Sequence, residues 1–304
     1  MALQYNLPLT TKPLVDLADQ LGRNPDDVIK KVREYIATGI VKRYGLNLNY
    51  RAFPNYRRAA LVGFRAENVE RVARRINAYD EFRVKHNFLR DAYYNVWFTV
   101  KGRDLDEISA IVGRIAGECE VDEYVVLPTK RVYKMDVKYD LIKGVSWSNR
   151  GLEPESVPLV KNLGFEDEFV RSLESLDATE RPFAKFNRSE EEVVDAVHEL
   201  MRKGVGRDFS GVLRERKVGF RENGMTVLKL STKPEEVAMQ LLNDFPQITH
   251  LIERIVSEKW NYPIYFMVHA VKRETIEEIR EQVLQLRGVE EAKTIYSRAN
   301  LRET

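Results

Sequence analysis

Two short segments of this 304-residue chain pair an imidazole with a guanidinium at the same spacing. The first reads His86-Asn-Phe-Leu-Arg90 and runs on into Asp91-Ala-Tyr-Tyr-Asn-Val-Trp-Phe-Thr99. The second reads His250-Leu-Ile-Glu-Arg254 and, after a short gap, Trp260-Asn-Tyr-Pro-Ile-Tyr-Phe-Met-Val-His269. His86 and His250 stand 164 positions apart, as do Arg90 and Arg254, and three of the four histidines fall in these segments. Residues four apart in a strand point to one face, so each pair shares a face if its segment stays extended. The strand that follows brings Tyr94 and Trp97 in one copy, and Tyr262, Tyr265 and His269 in the other. Arginine offers forked, permanently charged donors for carboxylates. Aromatic rings stack on planar molecules, and imidazole exchanges a proton near neutral pH or ligates iron. The combination suits a large, flat ligand that carries carboxylates. A lone strand histidine is more often structural, but the repeated offset favours function. His198, on the helical segment Val193 to Leu200 without such partners, is read as structural.

The elements that must position these residues repeat as well, giving an α+β chain. Residues 1–45 have a helix around Leu14, Leu17, Ala18 and Leu21, a turn at Gly22, and a second helix opening at Asn24 or Pro25. A strand, Ile40 to Tyr44, follows, which completes a winged helix-turn-helix pattern. Residues 46–140 alternate as βαββαβ, the ferredoxin-like order, with Phe82 to Phe88 and Tyr94 to Val100 as the central hairpin. Residues 141–165, with Gly144, Gly151, Pro154 and Pro158, read as a linker. Residues 166–210 resemble the first helical segment with most of its middle helix missing, and Ser189 with Glu192 fits a capping box. Residues 211–304 repeat the βαββαβ order, so the chain is a tandem repeat of helix-turn-helix plus ferredoxin-like domain. A ferredoxin-like sheet has helices on one face only, and the two free faces are expected to pack together as an intramolecular pseudo-dimer. A homo-oligomer of the whole chain stays open.

Composition narrows the function. The net charge is +2 although 32% of residues are charged, which is weak bias for a duplex-DNA binder. Asp16, Asp19, Asp26 and Asp27 crowd the helix-turn-helix and oppose phosphate contact. No run of ~18 apolar residues exists, the N-terminus lacks a basic-then-apolar leader, and a single cysteine, Cys119, allows no internal disulfide. A cytoplasmic protein is expected. No Gly-rich phosphate loop, His-Glu-x-x-His, EF-hand or G-x-S-x-G string occurs, so a metal site is not expected and acid–base chemistry is.

The helix-turn-helix plus ferredoxin-like arrangement is similar to the Lrp/AsnC regulators, and the particular strings resemble the siroheme decarboxylases, which share that fold. The first half is similar to the family's alpha-type subunit through Arg43-Tyr-Gly45, Asn49-Tyr-Arg51 and the His86 to Thr99 string. The second resembles the beta-type subunit through Arg181-Pro-Phe183, Val218 to Met225, Thr249-His250 and Trp260 to His269. Two departures stand out: Glu215, in Arg214-Glu-Arg-Lys217, occupies a position where the family has histidine, and Trp260-Asn-Tyr-Pro263 replaces Trp-Pro-Tyr-Asn. The two sites are therefore not expected to be equivalent. The resemblance implies conversion of siroheme to 12,18-didecarboxysiroheme, on the route to haem or haem d1. It implies no added cofactor, since the tetrapyrrole substrate carries its own iron. On that reading His86 and His250 are the proton donors. Arg90 and Arg254, with Arg51 and Arg216, clamp carboxylates, while Tyr94, Trp97, Tyr262 and Tyr265, with His269 nearby, line the macrocycle. The alternatives are an Lrp/AsnC-type DNA-binding regulator that senses haem or an amino acid, and a tetrapyrrole carrier without catalysis.

Overall fold

The computed structural model describes residues 1–80 and 82–302. They form two compact units, each assembled from separate stretches of sequence. One comprises Met1–Phe53, Asp136–Gly144 and Ser156–Phe220; the other comprises Pro54–Met135, Val145–Glu155 and the chain from Arg221 onward.

The first unit collects both helical segments. Its helices Pro13–Gln20 and Pro25–Ala37 have the expected helix-turn-helix spacing. Asn24 caps the second by accepting from the Asp26 and Asp27 backbone N–H groups, with Pro25 at the first helical position, so both opening signals operate. The strand after it, Val41–Leu48, runs past residue 45 and pairs antiparallel with Gly206–Leu213. The expected wing of the first copy is thus one half of a two-stranded ribbon. Gly45 is required within it: its φ is +145°, and a Cβ there would lie 2.3 Å from the Leu173 carbonyl oxygen, which accepts from the Leu46 N–H. In the second copy the helix Asp167–Ser172 is followed by Glu190–Arg202 with no helix between, and Ser189 and Glu192 form the capping box. Two basic side chains of the helix Pro25–Ala37 are already engaged: Lys31 with Glu34, and Arg33 Nε, which donates to the Ala178 carbonyl.

The stretch 141–165 is not a free spacer. Val145–Glu155 belongs with the second unit, where Val145 bridges to Ala270 and Glu153 is buried against Arg150. From Ser156 on it belongs with the first, into whose core Val157 and Val160 pack. Its apolar residues outweigh its Gly and Pro.

The second unit contains both ferredoxin-like copies. The strands are β1 Arg58–Phe64, β2 Val84–Arg90, β3 Val96–Gly102 and β4 Tyr124–Met135 in the first copy, and β5 Glu222–Leu230, β6 His250–Arg254, β7 Ile264–Ala270 and β8 Val289–Asn300 in the second. The helices are Val69–Asn77 and Leu105–Cys119, then Pro234–Asp244 and Arg273–Leu284. Each copy has strand order fourth-first-third-second, antiparallel throughout. Alternation puts Ala60, Val62, Phe64, Val96, Phe98 and Val100 under the helices of the first copy. Leu228, Leu251, Ile264, Phe266 and Val268 lie under those of the second. The opposite faces meet in a third core built by both copies.

Two twelve-residue strands close this arrangement. The first half of β4 pairs with β1 and its second half crosses to β6; β8 pairs with β5 and then crosses to β2. The result is a ring of eight antiparallel strands without a free edge, which removes the exposed backbone that an open sheet presents. The expected intramolecular pseudo-dimer is therefore a closed barrel. Among the described residues no helix is long and apolar enough to cross a membrane.

Candidate functional site

In the second copy the predicted face-sharing holds. Leu251 and Glu253 of β6 turn toward the helices: Leu251 joins their core, and Glu253 meets Tyr133 and Lys130. His250 and Arg254 therefore turn inward together. In the first copy the condition of unbroken extension fails. The register of β2 against β3 slips between Lys85 and Asn87, and His86 takes φ +60°. This is a β-bulge with a non-glycine residue in the left-handed region, a conformation that persists only where the surroundings enforce it. Beyond the bulge alternation resumes, with Asn87 bonded to the first helix of that copy and Arg90 inward. His86 reaches the inner side through the bulge, its ring stacked on Phe88 at 6.0 Å between centroids.

His86 keeps accessible surface, although neighbouring protein desolvates its imidazole in part. Burial, and then the charges of Lys85, His250, Lys101 and Arg90, hold its pKa well below the usual 6.5. Water reaches the ring and softens the burial effect, but all four neighbours push in the same direction. The two repeated histidines therefore sense one another. Thr249 Oγ1 lies 3.0 Å from His250 Nδ1, and His250 is half-buried.

The arginines are held in equivalent ways. Arg90 Nη1 donates to the Ile295 carbonyl at 2.8 Å, and Arg254 Nη1 donates to the Leu127 carbonyl at 3.3 Å. Ile295 lies two residues before Ser297, the ladder partner of Arg90, and Leu127 two before Thr129, the partner of Arg254. Each copy's arginine thus grips the last strand of the other copy. Arg254 also donates to Thr129 Oγ1 at 2.8 Å and lies over the Tyr265 ring at 5.6 Å. It is 7% exposed, and no carboxylate among the described residues lies within ion-pair distance of it. Burial pulls its pKa from 12.5 down to about 10. A buried guanidinium without a carboxylate is costly unless an anion joins it.

The aromatic residues fill the space between the sheets. Trp97, Trp260 and Tyr94 pack edge-on or tilted, with centroids 5.5 Å (Trp97–Trp260) and 5.6 Å (Tyr94–Trp260) apart. Trp97 is 1% exposed and lies over Gly63, whose added Cβ would come within 2.9 Å of the indole. Trp260 Nε1 donates to Tyr265 Oη at 2.6 Å. Tyr94 lies before β3 rather than within it, but its ring is buried in the same cluster. Tyr262 keeps partial exposure; burial and a hydrogen bond to Glu291 push its pKa up to about 12. His269 is buried on β7 beside Asn223.

The structure thus brings His86, Arg90, Tyr94, Trp97, His250, Arg254, Tyr262, Tyr265 and His269 into one unit. Arg51 and Arg216 belong to the other: Arg51 Nε donates to Asn49 Oδ1, and Arg216 is exposed in a short 3-10 turn. Glu215 bonds to Tyr139 there, which, with burial, raises the tyrosine's pKa. His198 is exposed. Lys85, Lys101, Trp260 and Asn223 were not singled out from sequence. Lys101 could be found only from hairpin register, and Asn223 only from its place in the Val218 to Met225 string. Among the described residues no group of three or more His, Cys, Asp or Glu is arranged to hold a metal ion.

Comparison with known proteins agrees with this architecture. Residues 56–134 and 217–302 match the family of the AsnC-like ligand binding domain, together more than half of the chain. The siroheme decarboxylase of Hydrogenobacter thermophilus is 27% identical over 304 residues, covering 97% of this chain and 89% of that one. The siroheme decarboxylase NirD subunit of Pseudomonas aeruginosa is 30% identical over 138 residues, 45% of this chain but 89% of its own length, so one half here corresponds to a whole subunit there. The crystal structure of the siroheme decarboxylase NirDL in co-complex with an iron-uroporphyrin III analogue superimposes with a TM-score of 0.67 at 24% identity, over 99% of this chain and 90% of that one. The chain belongs to the AsnC-like ligand binding domain family, which it carries twice, and its resemblance to siroheme decarboxylases runs through both copies.

Proposed function

We propose that this chain is a siroheme decarboxylase that removes carbon dioxide from two acetate side chains of the macrocycle. The observation that carries the reading is electrostatic. Among the described residues, cationic neighbours act on His86, and Arg254 is buried with no carboxylate within ion-pair distance. A ligand with several carboxylates stabilises a guanidinium buried in this way. Full-length similarity to siroheme decarboxylase supplies the ligand's identity.

The chemistry needs protons and a place for electrons. Protonation of the macrocycle next to an acetate arm makes the ring an electron sink. The bond between the methylene and carboxylate carbons then breaks, its electron pair enters the ring, and carbon dioxide leaves. The exocyclic methylene takes up a proton and becomes a methyl group, and the ring releases the proton it first accepted. Each acetate thus loses one carbon dioxide and gains one proton. His86 and His250 are the proposed donors. Without substrate, burial and then the neighbouring cations disfavour the protonated His86 imidazole. Incoming carboxylates reverse that field, so the imidazole becomes protonated only when substrate is present. Arg90 and Arg254 are the proposed carboxylate clamps, and the packed rings of Tyr94, Trp97, Tyr262 and Tyr265 form the apolar wall behind them. His269 completes the proposed binding set within that unit.

The regulator reading has less support, since Lys31 and Arg33 are engaged within their own unit and Asp26 and Asp27 open the helix that would meet DNA. Anaerobic incubation with siroheme, followed by mass spectrometry, tests the proposal. Loss of one and then two carbon dioxide masses is expected. Tight binding without mass loss would leave a carrier instead of an enzyme.

A further inference from the structure

One buried amide touches a proposed functional side chain from each copy. Asn223 lies on β5 and is 7% exposed. Its Oδ1 accepts from Arg90 Nη2 of the first copy at 3.5 Å. Its Nδ2 lies 3.4 Å from His269 Nδ1 of the second copy, the residue opposite it on the β5–β7 ladder. The direction of both bonds follows from chemistry. A guanidinium only donates, so the amide oxygen must face Arg90; the amide nitrogen must then face His269, whose Nδ1 accepts. Neutral His269 therefore carries its proton on Nε2. We infer that Asn223 is a positioning residue that sets the His269 tautomer and holds Arg90 in place without neutralising it.

The amide matters because aspartate has nearly the same shape. An aspartate here would pair with Arg90 as an ion pair and take up the charge that a ligand carboxylate would otherwise meet. It would also accept from His269, moving the ring proton from Nε2 to Nδ1. Leucine would remove both contacts and leave Arg90 held by the Ile295 carbonyl. The inference rests on the siroheme reading for what Arg90 binds, but the tautomer claim stands independently of it.

The experiment uses the full chain labelled with 15N in its histidine rings, of which there are only four. Wild type should show His269 as the Nε2–H tautomer, and Asn223→Asp should convert it to Nδ1–H with the fold intact by circular dichroism. Titration with iron uroporphyrin should weaken by roughly ten- to a hundredfold in Asn223→Asp, the effect of neutralising one buried charge partner. The loss should appear in KM for siroheme more than in kcat, because Arg90 holds substrate. In Asn223→Leu the loss should be smaller than in Asn223→Asp, because Arg90 keeps its charge. An unchanged tautomer in Asn223→Asp, or binding equal to wild type, overturns the inference. If wild type itself neither binds nor converts siroheme, the functional reading fails instead, and the tautomer result alone decides the role of Asn223.

Discussion

Replacing Arg254 by methionine separates a binding role from a structural one. The guanidinium is 7% exposed, and burial lowers its pKa from 12.5 to about 10. At about 1.4 kcal/mol per unit, holding its charge there costs roughly 3 kcal/mol. Methionine removes that cost. It also removes the contacts to the Leu127 carbonyl and Thr129 Oγ1 and the position over Tyr265, which together contribute about 2–4 kcal/mol. The two sums nearly cancel, so Arg254→Met should unfold within about 1.5 kcal/mol of wild type in denaturant titrations. A paired buried charge behaves otherwise, since removing one partner costs about 3–5 kcal/mol. Repeating the titration with a tetrapyrrole carboxylate gives the second measurement. Ligand at a hundred times its Kd stabilises the fold by about 2.7 kcal/mol. If the variant binds a hundredfold more weakly, the same ligand concentration adds only about 0.4 kcal/mol. A variant destabilised by 3 kcal/mol or more, with unimpaired ligand stabilisation, would refute the reasoning and leave Arg254 as a staple between the copies.

The His86 bulge makes a different kind of prediction. Left-handed backbone costs an L-residue about 1–2 kcal/mol and glycine almost nothing, offset in part by glycine's larger unfolded-state entropy; His86→Gly should therefore be more stable than His86→Ala by about 0.5–1 kcal/mol. An alanine variant more stable than the glycine one argues against the observed φ of +60°. The depressed His86 pKa has a defined sign. Between its folded value and 6.5 the unfolded chain binds the extra proton, so stability falls as pH is lowered through that window, and His86→Gln should remove this part of the slope. Ligand carboxylates should raise the same pKa, so calorimetry near pH 7 in buffers of different ionisation enthalpy should record proton uptake on binding in wild type and less in His86→Gln; equal uptake in both rules out His86 as the group that charges.

The repeat made much of this legible from sequence. Equal His–Arg offsets put the two copies in register, and period-two alternation predicted that each pair shares one face of its strand, which holds for His250 and Arg254. The βαββαβ order followed from apolar spacing alone, because each element buries one face against its own copy. What lay beyond reach was long-range. Ile40 to Tyr44 was assigned to a wing of one copy, but the strand formed is Val41–Leu48, most of whose residues are buried, and its partner lies far along the chain at Gly206–Leu213. Nothing local distinguishes a wing from half of a shared ribbon. The bulge at His86 was hidden for a related reason. Glycine or asparagine would have marked a left-handed residue, whereas histidine there is held by its surroundings.

The same distinction bears on the aromatic residues. Sequence alone offered Tyr94, Trp97, Tyr262 and Tyr265 as stacking surfaces for a flat ligand. The fold packs Trp97 and Tyr265 against one another's neighbours at 1% and 3% exposure, so their flat faces are largely covered. Their spacing in the chain encodes a barrel interior as readily as a binding wall, because both need large apolar rings on the inward side of a strand. Charge separates the two readings. A dry barrel core has no reason to bury Arg254 with no carboxylate among the described residues within ion-pair distance. That guanidinium is stabilised when an anion joins it, and its burial, more than the rings, supports the proposed binding role of the inward face.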